Sequence, residues 1–170
     1  MKKIFFVLML FPALSFKGQI VKVDLQASGL TCSMCSNGIN KAIRSLDFVD
    51  KVDANIKNSS FEIQFKPDAA VDFDKVKKKV EDAGFFVASF LVTVHVDNLS
   101  VSDDAHLTIG NSLYHFVNTG TRLLSGNTRI RVLDKGFVSA KEYKKNNSLT
   151  KMPCYKTGEM NGKRVFHVTI

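Results

Sequence analysis

Residues 28–39 read SGLTCSMCSNGI and set Cys32 and Cys35 three positions apart. They stand where one periodicity gives way to another. Upstream, Val21, Val23, Leu25 and Ala27 alternate with Lys22, Asp24 and Gln26, the period of a strand with one buried face. Downstream, Cys35, Ile39, Ala42, Ile43 and Leu46 recur at helical spacing, with Thr31 or Ser33 placed to cap the start. The handover puts Cys32 in the connection and Cys35 in the first helical turn, so both sulfurs can converge just outside a helix N-terminus. Amide groups and the helix dipole favour negative charge there, which readies the thiols as thiolates.

Working outward, alternating runs at residues 49–56 and 61–65 meet at NSS, residues 58–60, and predict a hairpin that Pro67 and Asp68 end. Phe73, Val76, Val80 and Ala83 then mark a second amphipathic helix, stopped by Gly84, and a last strand begins at Phe85. The order over residues 19–92 is strand, helix, strand, strand, helix, strand. This is an α+β sandwich of the split βαβ kind, two helices covering one face of an antiparallel sheet.

Beyond residue 92 the character changes. Residues 85–96 stay strand-like until DNLSVSDDA, residues 97–105, is expected to break them. Short strands are expected at residues 107–118, 128–133, 155–157 and 165–170, with a short helix near residues 139–145 and a tight hairpin turn at MNGK, residues 160–163. That pattern suits a small mainly-β domain over residues 93–170, a five-stranded barrel of the oligonucleotide-binding type. Fold analogy alone licenses no nucleic-acid function.

At the other end, Lys2 and Lys3 precede an uncharged apolar run, residues 4–14, about half the roughly 20 residues a spanning helix needs. Residues 1–18 therefore read as a signal peptide cleaved between Ser15 and Gln19, leaving a mature chain without a membrane span that is exported, periplasmic or secreted. Its removal takes three lysines and no acid, lowering the formal net charge from +8 to +5. The basic runs VKKKVED (residues 76–82) and KEYKKNN (residues 141–147) read as solvated helix faces, and no nucleic-acid partner is expected. Export places the cysteines in an oxidising compartment, where a bare pair must be kept reduced, metal-loaded or cross-linked.

Two soft thiolates suit Cu(I), which accepts near-linear coordination. A structural zinc site needs four ligands, and the sequence offers no second cysteine pair or paired histidines. A C-x-x-C at a helix start also serves redox enzymes, so the pair alone leaves both chemistries open. Its flanks narrow the choice. GLTCSMC (residues 29–35) and AGF (residues 83–85) resemble the G-M-[TS]-C-x-x-C and A-G-[FY] motifs of the heavy-metal-associated domain, found in copper chaperones and in the N-terminal modules of copper-transporting P-type ATPases. The resemblance covers residues 19–92. It implies a ferredoxin-like fold that binds one soft ion, Cu(I) first among them, through Cys32 and Cys35, with another thiolate-bearing metal-transfer protein as partner. Leu30 stands where that family carries methionine, and the resemblance places Phe85 as a shield beside the metal loop. Two other readings stay open: a dithiol/disulfide redox protein using the same pair, and an envelope interaction module with a degenerate metal domain. With no nucleophile elbow, glycine-rich phosphate loop or paired acids, no enzymatic activity is expected.

The remaining candidates carry less. Met34 reads as loop packing or surface, and Met152 and Met160 are too sparse for a methionine-rich copper motif. His95, His106, His115 and His167 are isolated in or beside strand-like runs and are expected in structural or surface roles. Cys154, the odd third cysteine, is expected far from Cys32 and Cys35, as a separate thiol that is buried or free for intermolecular pairing.

Overall fold

A computed structural model describes residues 18–30 and 33–170. The expected signal peptide lies outside the described residues but for Gly18. Strand β1 (Gln19–Ser28), helix α1 (Ser33–Arg44), strands β2 (Val49–Asn55) and β3 (Ser60–Phe65), helix α2 (Phe73–Asp82) and strand β4 (Phe86–Val101) follow in the expected order. These four strands pair antiparallel as β2-β3-β1-β4, the ferredoxin-like arrangement. The alternation in β1 becomes a buried face of Val23, Leu25 and Ala27, packed in one core with Ile39 and Ile43 of α1 and Phe73, Val76 and Val80 of α2. Asp72 caps α2 by accepting a hydrogen bond from the Lys75 amide at 3.0 Å, and Gly84, the stop the sequence predicts, follows it at φ +87°. Of the basic run, Lys78 lies on the solvent side and Lys77 and Lys79 are half-buried.

The chain then extends the same sheet. β5 (His106–Ile109), β6 (Ser112–Phe116), β7 (Arg122–Val132), helices α3 (Ala140–Asn146) and α4 (Cys154–Thr157), β8 (Glu159–Met160) and β9 (Lys163–Thr169) complete it. The strand order is β2-β3-β1-β4-β7-β9-β6-β5, with β8 hairpinned onto β9. The expected barrel is not formed: the sheet is open, with β2 and β5 at its ends. β4 explains the difference. It runs for 16 residues, through the position expected to break it, because Asp97 and Asn98 oppose the single Ser125 of β7 as a bulge and Asn98 takes φ +49°. β4 thus leaves a long edge on which β7 pairs, and later strands add outward instead of curling on themselves.

Other expectations for residues 93–170 meet mixed outcomes. The helix near residue 140 forms, capped by the Ser139 hydroxyl on the Glu142 amide, and Asn161 and Gly162, both at positive φ, make the β8–β9 turn. The strand expected at residues 155–157 is instead α4. Pro153 leads into that short helix and Gly158, at φ +73°, ends it, a frame that favours a helical turn over a strand. The run at residues 107–118 is two strands, split by a two-residue turn in which Gly110 takes φ +58°.

A large hydrophobic core runs beneath the extended sheet, and a second, small cluster of Val117, Leu133 and Tyr155 lies apart from it. The Phe73 ring of α2 meets Phe90 of β4 edge-on at 5.2 Å and Phe166 of β9 at 5.1 Å, and Phe137 meets Phe90 at 5.0 Å. Arg164 of β9 adds a polar clamp, donating from Nε to Asp74 of α2 at 2.8 Å and from an Nη to Asp134 at 3.4 Å while stacking on Phe166. Among the described residues no helix is long and apolar enough to cross a membrane.

Candidate metal-binding site

Three features of the backbone present the start of α1. Opposite Gln26 and Ala27, β4 carries one extra residue, Ala88, a bulge that turns the end of β1 out of register just before the connection. Gly29, at φ +85°, makes the turn out of the strand, a conformation a side chain would strain. Leu30 packs against the core and anchors the connection from below, as the swap of one long apolar side chain for another allows.

α1 then begins at Ser33 and places Cys35 in its first turn, half-buried. Cys35 is disulfide-bonded. Cys32 and Thr31 lie outside the described residues. The first turn of α1 holds no acidic residue, while Lys41 and Arg44 occupy the last, so no carboxylate of the helix itself offsets its positive end. A thiolate or a thiolate-bound cation complex of net negative charge is the species such an end stabilises.

The rim is apolar. Phe85 is half-buried, its ring 3.8 Å from where a Cβ on Gly29 would stand, which is the place expected for a shield. Met34, 83% exposed, and Phe86, 70% exposed, border the same connection from α1 and from the head of β4, where Phe86 pairs with Ser28. Met34 therefore belongs to the surface and not to loop packing.

A family model of the heavy-metal-associated domain matches residues 24–86. The mercuric transport protein periplasmic component of Pseudomonas fluorescens is 38% identical over 63 residues, which cover 37% of this chain and 68% of that protein. The chain belongs to the heavy-metal-associated domain family. A probable copper-exporting P-type ATPase of Archaeoglobus fulgidus is 32% identical over 78 residues, 45% of this chain and 10% of the ATPase. The copper ATPases of yeast and Helicobacter pylori are likewise matched over less than a tenth of their length. Among solved structures, oxidised MerP from Ralstonia metallidurans is 32% identical, with 42% of this chain and 94% of that one aligned at a TM-score of 0.37.

The family match ends at residue 86, and the remaining candidates lie beyond it. His95 is exposed and bonds Asn127 at 2.9 Å. Cys154 is a buried free thiol, pushed up in pKa by its burial, and its sulfur faces His106 and His115. Burial likewise pushes the His115 imidazole down, against the raising effect of Asp104. These histidines look isolated in the sequence as long as residues 107–118 are taken for one strand. The Gly110-Asn111 dipeptide, a two-residue hairpin signal, would have paired His106 with His115.

Proposed function

We propose that this protein is an exported soft-metal carrier that captures Cu(I) between Cys32 and Cys35 and passes it to another thiolate site by ligand exchange. The reading is carried by one observation, the family's C-x-x-C on a strand-to-helix connection whose helix start has no acidic side chain to compete for the cation or repel the thiolates. Two-coordinate Cu(I) leaves room for an incoming thiolate, so transfer passes through a three-coordinate intermediate without the ion entering water. Met34 and Phe86 give a partner an apolar surface beside the loop. Export rests on the layout of residues 1–18, and the name of the Pseudomonas relative, a periplasmic component, supports it. That relative's name also makes Hg(II) the natural second ion to assay.

The test uses the reduced chain with Cys154→Ala, so that only the pair supplies thiols. It should hold about one Cu(I) against a chromophoric chelator, and Cys32→Ser with Cys35→Ser should abolish this while leaving the circular dichroism spectrum unchanged. Equal Cu(I) retention with and without the two sulfurs would sink the proposal. The disulfide at Cys35 favours a second reading, a dithiol/disulfide redox protein. Rapid exchange with a model disulfide, together with no metal retention when reduced, would put that reading first.

A further inference from the structure

Three imidazoles stand side by side across three adjacent strands. His106 of β5 is directly opposite His115 of β6, and His115 is directly opposite His167 of β9. Directly opposed residues project to the same face of a sheet, so the three rings form a row. The rings of His106 and His115 stack with centroids 4.3 Å apart, and His167 meets His115 edge-on at 5.1 Å. Cys154, at the start of α4, is set against the first two. Its Sγ is 3.4 Å from His106 Nε2 and 3.5 Å from His115 Nδ1, and the three atoms lie within 4.8 Å of one another.

Those separations are informative. A tetrahedral ion with a sulfur ligand at about 2.3 Å and a nitrogen ligand at about 2.0 Å sets the two ligand atoms about 3.5 Å apart. Both sulfur-to-nitrogen edges already have that length. The donor set, one thiolate and two imidazoles, suits zinc and copper and excludes hard ions that demand oxygen.

The surrounding groups orient these ligands. Asp104 Oδ1 lies 2.9 Å from His115 Nε2, so a neutral His115 donates from Nε2 and turns its Nδ1 lone pair toward the sulfur. Asp104 is itself fixed, at φ +58°, by the Thr150 hydroxyl at 2.6 Å. A carboxylate behind a histidine in this way sets tautomer and ring angle in metal centres. The next histidine repeats the device, since His167 Nδ1 bonds Asp134 at 2.8 Å. Its Nε2 is fully buried and has no hydrogen-bond partner among the described residues. A buried ring nitrogen left unpaired is costly and calls for a reason.

We propose that His106, His115 and Cys154 form a second metal site, a centre of one thiolate and two imidazoles for a borderline first-row ion, Zn(II) or copper. Three protein ligands leave a fourth position open, on the side of the half-exposed His106. The centre is separate from the C-x-x-C. β4, β7 and β9 lie between β1 and β6, and four strand spacings of about 4.8 Å set His115 roughly 20 Å from β1.

The full-length chain carrying Cys32→Ser and Cys35→Ser isolates this site, so its failure leaves the carrier reading untouched. Reduced and stripped of metal, that chain should bind about one Co(II) with a thiolate-to-cobalt charge-transfer band, displaced stoichiometrically by Zn(II) or, in a separate arm, by Cu(I). Adding Cys154→Ala should remove the band. His106→Gln, at the most exposed ligand, should weaken binding at least tenfold while the fold is retained, and Asp104→Asn should weaken it about 10- to 100-fold. No Co(II) retained, Co(II) bound without the charge-transfer band, or equal binding after His106→Gln would each overturn the site and leave a hydrogen-bonded thiol–imidazole group.

Discussion

Replacing Phe73 by alanine should destabilise the part of the chain that lies outside the family match as strongly as the part within it. The Phe73 ring is fully buried on α2, touching Phe90 of β4 and Phe166 of β9 through edge contacts near 5 Å. Truncating a buried phenylalanine costs about 3–5 kcal/mol, the upper part applying where neighbours cannot collapse into the space. Here the neighbours are two aromatic rings and a β-sheet, so about 4 kcal/mol is expected. For a chain of this size that corresponds to a fall in Tm of roughly 8–16 °C. The assay exploits an asymmetry of composition. The protein has no tryptophan, and its tyrosines, Tyr114, Tyr143 and Tyr155, all lie beyond residue 105. Tyrosine fluorescence therefore reports the C-terminal segment, and far-ultraviolet circular dichroism reports the whole chain. In the metal-free, reduced protein both should show one coincident transition, and Phe73→Ala should shift both together. A tyrosine transition that stays in place while the dichroism splits would refute the shared core.

Two further perturbations address the join. Burial raises the Asp74 carboxyl pKa, but the hydrogen bond and charge of Arg164 outweigh it, and the net shift is downward. A depressed carboxylate adds stability above its unfolded pKa and loses it as pH falls through the folded value. Urea midpoints should therefore decline below about pH 4, with Asp74→Asn flattening that decline and costing about 1–2 kcal/mol at pH 7, discounted for partial exposure. An unchanged acid limb in Asp74→Asn would show that the clamp contributes nothing. Gly136 takes φ +85° and an added Cβ would stand 3.1 Å from Lys77 Cδ, so Gly136→Ala should cost about 1–2 kcal/mol in the same titration. No loss would mean the loop has another conformation available.

The ferredoxin-like half was legible because its signals are local. Val23, Leu25 and Ala27 alternate within one strand, Asp72 and Gly84 bracket one helix, and each is readable within a few residues of itself. The C-terminal half was less legible because its decisive facts are pairings. Asp97 and Asn98 have the composition of a chain break, and only Ser125 on the neighbouring strand makes them a bulge. Pro153 and Gly158 frame a helical turn, a signal that alternation around Tyr155 obscured. Cys154 gains its meaning from His115 and His106, 39 and 48 residues away in sequence, and nothing near residue 154 announces either. The C-x-x-C is the converse case in that its family motif was readable from seven residues, next to the Ala88 bulge and the turn at Gly29.

Two metal sites on one sheet would not amount to a relay. Ligand exchange between thiolates requires the donor and acceptor sulfurs to share one coordination sphere, which holds them within about 4 Å for sulfur ligands near 2.3 Å from the ion. β4, β7 and β9 lie between β1, which leads into α1, and β6, whose His115 faces Cys154, a distance on the order of 20 Å. β4 bonds β7 over nine residue pairs and β7 bonds β9 over two, and residues of β1, β4, β7, β9 and β6 share one buried cluster, which holds the sites apart. Each site must therefore load and unload separately. The start of α1, with Met34 and Phe86 exposed beside it, suits exchange with a partner. The Cys154 centre, with two buried ligands held behind Asp104, suits an ion that stays and stiffens the edge formed by β5, β6 and β9. Metal bound there should raise the stability of the native state by mass action, by about 2.7 kcal/mol at a free ion concentration one hundred times the Kd, and with it the tyrosine-reported Tm.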